Sequence, residues 1–309
     1  MSEARRTFEC FGGVVTIAVL GPASMEPGRA AASAEAKLLA AHRQLSRFLP
    51  GSELSRLNRD PRARVPASPL LVELASAARE AGELTAGLVD ATLLREIEAA
   101  GYRDSMQGRP EADQAAQPAA SIPAAPRSAG AWAEISVDRQ AWTIERPPGI
   151  GIDSGGIAKG LLADEAGAAL AGFPAYAVDC CGDVRIGGTA GRRRPVLIED
   201  PFGGEPIHTF QMGDGGVATS GITRRSWKGA GGAPAHHLLD PATGEPAFTG
   251  VVQATALAPS AFLADVHAKW ALLSGPELGP SRLPHGGVLV LADGSVETVA
   301  ARAPIETAA

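Results

Sequence analysis

Cysteine is scarce in this sequence: Cys10, Cys180 and Cys181 are the only three among 309 residues. No C-x-x-C spacing occurs, and adjacent residues of a strand point to opposite faces of a sheet. The pattern argues against a zinc site and against a disulfide framework. We predict that the three thiols are buried as small apolar side chains.

Lysine is also scarce, and the balance of charge is negative. Only 20% of the residues are charged, the formal net charge is -6, and the 28 basic residues include just four lysines. These are Lys37, Lys159, Lys228 and Lys269. Because binding to nucleic acid relies on clustered basic side chains, we expect no nucleic-acid partner.

The sequence contains no long apolar run. No stretch of about 18 apolar residues offers a transmembrane helix. The first 20 residues are too polar at their start and too strand-like afterwards for a signal peptide or a lipoprotein signal. We therefore expect a cytoplasmic protein with no membrane insertion.

Strand and helix patterns point to an α+β fold with mixed, largely antiparallel sheets and a few packed helices. The 45% apolar composition suffices for one large core, so we expect a single domain over residues 1–309. A segment rich in Ala and Pro, residues 105–130, predicts a flexible insertion. The predicted strands are 8–20 with a turn at Gly12-Gly13, 132–137, 142–146, 175–180, 194–199, 207–212 and 250–257. The predicted helices are 29–48, 68–87, 156–171 and 260–273, and Asp293-Gly294 predicts a hairpin turn.

The segment GIDSGGIAKG, residues 151–160, has the composition of an anion site. Asp153 ends a strand, two glycines follow, and Lys159 lies in the first turn of the next predicted helix. Glycines allow a phosphate to approach the free backbone N–H groups of a helix start, and a lysine adds positive charge. An ordinary helix start with an exposed lysine remains the alternative.

Two further positions have the chemistry of a site. His237 precedes the turn DPATG by one short strand, so its imidazole can point into a pocket, although a structural histidine has the same pattern. Asp265 and Lys269 are four residues apart on a predicted helix and so share a face. They predict either a surface ion pair or a carboxylate directed at a metal or a phosphate.

In their order along the chain, eight short segments resemble the ApbE family of FAD:protein FMN transferases. The segments are FECFGGVV, SELSRLN, LVDATLL, IDSGGIAKG, CCGDVRIGG, VATSG, HLLDPATGEP and ADVHAKWAL, and they extend from about Phe8 to Gly275. The resemblance implies an ApbE-like fold. It also implies an enzyme that splits the FAD pyrophosphate, transfers FMN to a Ser or Thr hydroxyl of an acceptor protein and releases AMP.

The resemblance also implies roles for individual residues. Flavin contacts would come from Phe11, Ala91, Thr92, Leu93, Asp153 and Lys159. His237 would lie beside the scissile phosphate, where His237 or Asp265 would act as the catalytic residue. Mg²⁺ would be held by Asp265, by the side chain at position 269 and by a backbone oxygen near Gly156.

The sequence departs from the family pattern at three places. Phe11 and Gly13 replace a methionine and a threonine, and the element at 88–94 lacks a Gly-Pro pair. Lys269 stands where the family supplies a threonine ligand. Because an ammonium is a poor metal ligand, we expect Mg²⁺ to bind weakly or to be replaced by Lys269.

Three other functions stay open on the sequence alone. Water could replace the acceptor hydroxyl, which would make the protein an FAD pyrophosphatase that releases FMN and AMP. The chain could be a non-catalytic FAD-binding or carrier protein with a degenerate metal site. A thiol-dependent activity of Cys180 or Cys181 is the remaining alternative.

Overall fold

The computed structural model describes residues 2–21, 23–105, 121–229 and 232–305. The helices are α1 (Pro27–Leu45), α2 (Glu53–Arg59), α3 (Pro69–Leu84), α4 (Leu94–Ala99), α5 (Ala158–Ala168) and α6 (Ala261–Leu278). The first strands are β1 (Glu3–Cys10), β2 (Gly13–Leu20), β3 (Arg64–Pro66), β4 (Ser136–Asp138), β5 (Thr143–Glu145), β6 (Ala175–Cys180), β7 (Asp183–Gly187) and β8 (Arg194–Ile198). The remaining strands are β9 (His208–Met212), β10 (Gly215–Gly221), β11 (Ser226–Lys228), β12 (Pro234–His236), β13 (Val251–Ala258), β14 (Gly287–Leu291) and β15 (Val296–Val299).

An eight-stranded antiparallel sheet forms the centre of the molecule. Its strand order is β1-β2-β6-β7-β10-β13-β14-β15. Short hairpins join three neighbouring pairs, β1-β2, β6-β7 and β14-β15, whereas β2 meets β6 only after more than 150 residues of helices and small strands, with Val15 opposite Cys180. Every residue of β13 is buried, including Gln253 and Thr255. The expected α+β class with largely antiparallel sheets is confirmed.

Three helices cover one face of this sheet. Helix α1 packs on β1 and β2, α5 on β6 and β7, and α6 on β10 and β13. Their apolar stripes form the core with the inward side chains of the strands, among them Leu38, Leu162, Val266, Ile17 and Val178. The sheet therefore fixes α5 and α6 side by side.

A glycine of the motif IDSGGIAKG allows the two helices to approach each other closely. A Cβ at Gly160 would lie 2.7 Å from the backbone oxygen of Ala261. The start of α6 is also held by Asp164 of α5, whose carboxylate accepts hydrogen bonds from the N–H groups of Ala261 at 2.8 Å and Phe262 at 2.9 Å. Lys159 on α5 is thereby placed beside the N-terminal half of α6.

The predicted long strands are present in the structure, but several helices and strands begin or end at other residues than predicted. The predicted helix 29–48 ends at Leu45, so Phe48 lies in the following loop. The predicted strand 132–137 begins as a 3-10 turn at Ala131–Glu134. The short α2 was not predicted. The predicted helix 260–273 continues to Leu278 after an interruption at Gly275, where φ is 76°.

Part of the predicted insertion lies outside the described residues, namely 106–120. The described residues that follow this range contact the rest of the protein. Ile122 N–H donates to the Phe248 oxygen at 3.0 Å, and Ala124 N–H donates to the Leu273 oxygen at 2.9 Å. Residues 121–124 therefore run as a hydrogen-bonded extended segment. Within the described part of the chain, no helix has the length and apolar character needed to cross a bilayer.

Candidate functional site

A large cavity opens where the hairpin turns of the central sheet meet the starts of α5 and α6. Its volume is about 1740 Å³, which exceeds the range of roughly 300–1,000 Å³ typical of pockets for drug-sized ligands. Of the residues that the resemblance assigns to flavin or Mg²⁺, all but Thr92 line it. These are Phe11, Ala91, Leu93, Asp153, Gly156, Lys159, His237, Asp265 and Lys269.

The segment from Asp153 to Lys159 forms one corner of the cavity. The Asp153 carboxylate accepts a hydrogen bond from Gly155 N–H at 3.1 Å and caps a 3-10 turn, after which α5 begins at Ala158. Arg47 Nε lies 3.2 Å from the same carboxylate. Asp153 N–H donates to the Ala91 oxygen at 2.8 Å. Asp153 thus joins this corner to the segment LVDATLL.

Lys159 points into a buried group of charges. Its ammonium lies 2.5 Å from Oδ2 of Asp183, whose side chain is fully buried. Burial lowers the pKa of Lys159, but the negative charges of Asp183 and Asp265 outweigh it, so the pKa is raised and the lysine stays charged. The alternative of an exposed lysine at an ordinary helix start is therefore wrong.

Asp265 and Lys269 form a buried ion pair in the same cavity. The Lys269 ammonium donates to Oδ1 of Asp265, and the two side chains are 9% and 2% exposed. The alternative of a surface pair is therefore wrong as well. Helical spacing predicted that the two residues share a face, and the packing of α6 against α5 turns that face towards the cavity.

Asp183 interacts with the neighbouring pair of Lys269 and Asp265 as well as with its own partner Lys159. Burial and the negative charge of Asp265 raise its pKa to about 6, while Lys159 and Lys269 oppose the shift. Oδ1 of Asp183 and Oδ2 of Asp265 are buried without a hydrogen-bond partner. Each carboxylate therefore has one buried oxygen without a partner, and of the two residues Asp265 lines the cavity.

His237 follows β12 and lies in the cavity wall. Burial, with the positive charges of Arg225 and other neighbours, holds its pKa well below the ordinary histidine value. Its Nδ1 is buried without a partner. The imidazole is therefore neutral near pH 7, and a neutral imidazole can accept a proton.

Phe11 and Cys181 occupy the tips of two adjacent hairpins at the cavity. Both have left-handed backbone, with φ of 56° and 60°, a conformation that is uncommon for residues other than glycine and that clusters at functional sites. The Phe11 ring meets His42 edge-on, with centroids 5.3 Å apart. Arg225 Nη2 donates to the Phe11 oxygen at 3.3 Å.

Thr92 is the one predicted contact that does not line the cavity. Its hydroxyl donates to Asp90 Oδ1 at 2.5 Å, and burial raises the pKa of Asp90. Asp90 does line the cavity. The Thr92 hydroxyl therefore holds the Asp90 side chain in place and does not itself reach the cavity.

The donor set around Asp265 does not fit a magnesium centre. Mg²⁺ requires near-octahedral oxygen coordination, but across the described ranges no group of three or more His, Cys, Asp or Glu side chains could hold a metal ion. The carboxylates of Asp183 and Asp265 each already accept a hydrogen bond from a lysine ammonium. Although Gly156 lines the same cavity, the ligand set Gly156, Asp265 and Lys269 implied by the resemblance is not supported by this geometry.

Sequence reasoning missed an aromatic wall of the cavity. The Arg47 guanidinium lies over the rings of Phe48, at 4.2 Å, and Tyr102, at 4.6 Å. The rings of Phe48 and Tyr102 are 5.5 Å apart. Phe48 continued the helical stripe of 29–48 in the sequence, which concealed its place in a loop. Tyr102 carried no motif signal.

The thiols have properties of buried side chains. Burial raises the pKa of Cys10 to about 11 and raises the pKa values of Cys180 and Cys181. Cys10 and Cys180 are buried as predicted, whereas Cys181 is half-buried and lines the cavity. Because a thiol with a raised pKa holds less of the nucleophilic thiolate, the geometry gives no support to a thiol-dependent activity.

Comparison with known proteins identifies relatives. The sequence model of the ApbE family matches residues 11–290. A curated relative, the FAD:protein FMN transferase of Treponema pallidum (strain Nichols), is 33% identical over 146 residues, which cover 42% of this chain and 39% of that protein. The chain thus aligns with about two fifths of the length of this relative.

Solved structures share the fold over nearly the whole chain. The ApbE protein of Thermotoga maritima is 25% identical with a TM-score of 0.79, covering 96% of this chain and 97% of that one. The flavinyl transferase ApbE of Pseudomonas stutzeri, in its apo form, is 22% identical with a TM-score of 0.76, covering 96% and 95%. The flavin transferase ApbE of Vibrio cholerae is 21% identical with a TM-score of 0.74, covering 97% of each chain. Because the family model matches most of the sequence, the chain belongs to the ApbE family.

Proposed function

We propose that this chain binds FAD, splits its pyrophosphate and transfers FMN to a Ser or Thr hydroxyl of an acceptor protein, with release of AMP. The observation that carries the proposal is that Lys159, Asp265, Lys269 and His237 line one cavity of an ApbE-family chain, with Asp183 buried against Lys159. The names of relatives support it, because one is an FAD:protein FMN transferase and others are flavin transferases.

The residues of this group suit phosphoryl transfer. The pyrophosphate of FAD carries two negative charges, which fixed cations stabilise as charge builds on the phosphoryl oxygens. Lys159 and Lys269 supply such cations. The aromatic wall of Phe48 and Tyr102 offers a stacking surface to a ring of the dinucleotide.

In the transfer step, the acceptor oxygen forms a bond to the FMN phosphorus. The bond from that phosphorus to the bridging oxygen breaks, and AMP leaves with the bridging oxygen. The hydroxyl proton passes to a nearby base. His237 serves as that base in the proposal because its imidazole is neutral, while Asp265 is occupied by Lys269.

A divalent ion has no assigned step in this proposal. Mg²⁺ is at most a weak ligand, because Lys269 occupies one oxygen of Asp265 and places an ammonium where a cation would bind. The same observation favours a second candidate function, a non-catalytic FAD carrier whose metal site has been lost.

Incubation of the purified chain with FAD and an acceptor protein tests the proposal. AMP is measured by chromatography and the acceptor by mass spectrometry, with and without Mg²⁺. The proposal predicts AMP release matched by FMN attached to the acceptor. AMP matched by free FMN identifies a pyrophosphatase, and FAD bound without AMP release identifies a carrier; either result contradicts the transferase.

A further inference from the structure

Two lysine–aspartate pairs lie close enough for their charges to interact at one part of the cavity. Lys159 pairs with Asp183 at 2.5 Å, and Lys269 pairs with Asp265 one helical turn away on α6. The four side chains are 14%, 0%, 9% and 2% exposed in the order Lys159, Asp183, Lys269 and Asp265. With all four groups ionised, the formal charges cancel.

The four charges act on one another across the pairs. Asp265 raises the pKa of Lys159 although its own partner is Lys269, and Lys269 lowers the pKa of Asp183 although its own partner is Lys159. Arg225 adds a third cation, which opposes the charged forms of Lys159 and His237. Asp179, which lines the same cavity, adds a third carboxylate that interacts with Lys159.

Such a group is poorly explained by stability alone. Buried ion pairs contribute little net stability, and apolar side chains of similar volume often replace them without loss. Here Lys159, Lys269 and Asp265 also line a cavity, with Asp183 fully buried beside Lys159. Each carboxylate has one buried oxygen without a hydrogen-bond partner. An incoming anion can draw an ammonium towards itself, and the displaced carboxylate can accept a proton.

We propose that the Lys269 ammonium, together with Lys159, binds the diphosphate of FAD directly and takes the role of a divalent cation, so that this chain binds FAD without Mg²⁺. The inference rests on the proposed function only in taking FAD as the ligand. It follows from the close approach of α5 and α6, which brings both ammonium groups into one cavity. A divalent ion placed between them would be repelled by both.

Calorimetric titrations with FAD and with riboflavin, in EDTA and in excess Mg²⁺, test the inference. Riboflavin lacks the phosphates and serves as the control ligand. Wild-type protein should bind FAD in EDTA within about twofold of its affinity in Mg²⁺, and more tightly than riboflavin, because charge-assisted hydrogen bonds to phosphate are strong. A direct titration with Mn²⁺ should detect no tight site, with or without FAD.

Variants of Lys269 distinguish the effect of the ammonium charge on FAD binding from the effect of the side-chain volume. Lys269→Met should weaken FAD binding about tenfold or more, because it removes the ammonium and leaves the Asp265 carboxylate unpaired beside the phosphates. Riboflavin binding should be nearly unchanged, since riboflavin has no phosphate. Lys269→Arg should restore most of the FAD affinity. Lys269→Thr should make FAD affinity depend on Mg²⁺. Lys228→Met, at an exposed lysine outside the cavity lining, is the matched control.

The outcomes distinguish this inference from the proposed function. Wild-type FAD binding that is abolished by EDTA and restored by Mg²⁺ overturns the inference while leaving FAD as the substrate. Unchanged FAD affinity in folded Lys269→Met also overturns it. Absence of FAD binding under every condition overturns the inference and the proposed function together. Because the wild-type titrations need no variant, they decide the question even if Lys269→Met fails to fold.

Discussion

His237 is the residue whose proposed role can be separated from ligand binding. Its ring is buried, neutral and has an unpartnered Nδ1. Replacement by alanine should lower the rate of FMN transfer about a hundredfold or more, as expected for loss of a general base. The dissociation constant of FAD should change by no more than a few fold. Single-turnover kinetics and FAD titration measure the two effects separately.

His208→Ala is the matched control, since His208 lies on β9 outside the cavity lining. It should leave both the rate and the affinity unchanged. If His237→Ala turns over at the wild-type rate, the histidine is structural and the proton passes to another group.

The site residues were predicted where the sequence carries local chemistry. Asp153 and Lys159 stand in a glycine-rich segment, and the spacing of Asp265 and Lys269 indicates a shared helix face. The burial of that face depends on α6 packing against α5, which no local pattern reports. Asp183 stands in the segment CCGDVRIGG, but its contact with Lys159 joins residues 24 positions apart, which no local pattern reports.

Among the elements, the pairing of α5 with α6 decides the geometry of the site. Gly160→Ala places a Cβ 2.7 Å from the Ala261 oxygen, so the helices must move apart. In an isolated helix the same change would stabilise by up to about 1 kcal/mol. We expect instead a loss of unfolding free energy of about 1–3 kcal/mol, with weaker FAD binding because Lys159 and Lys269 separate.

Urea unfolding and FAD titration of Gly160→Ala measure these effects. The control is Gly172→Ala, because a Cβ at Gly172 meets no atom within 4 Å. It should change the unfolding free energy by no more than a few tenths of a kcal/mol. Equal behaviour of the two variants would show that the close contact of α5 and α6 is not required.

Element prediction succeeded where burial follows a simple period. Strand β6 was predicted at residues 175–180, and the long helices were found, because alternation and helical stripes arise from one buried face. The predicted end of α1 was wrong because Phe48 lies three residues after Leu45 and so fits the helical spacing. In the structure Phe48 lies in a loop, where it contacts Arg47 and Tyr102.

At the scale of the whole molecule, buried histidines make stability depend on pH. Burial lowers the pKa of His236 to about 4. Between that value and about 6.5, the unfolded chain binds a proton that the folded protein does not. The unfolding free energy therefore falls as the pH falls. From pH 7 to pH 5, His236 alone should remove about 2 kcal/mol.

Urea unfolding of wild type and His236→Gln at pH 7 and pH 5 checks this value. Gln does not titrate, so the variant should lose about 2 kcal/mol less than wild type over the interval. The raised pKa of Asp183 makes the unfolding free energy rise as the pH falls, which opposes the effect of His236. Because Asp183 is present in both proteins, its effect cancels in the difference between them. Parallel losses would contradict a buried, neutral His236.

In the proposed function, residues of the cavity break the FAD pyrophosphate and FMN is delivered to a protein. The most direct measurement is intact mass spectrometry of an acceptor co-expressed with this chain, beside the same pair carrying His237→Ala. We expect an acceptor heavier by one FMN group. The added mass should be lost on treatment that cleaves the phosphoester bond and should be strongly reduced with the variant. An unmodified acceptor, recovered together with a chain that holds intact FAD, would contradict it.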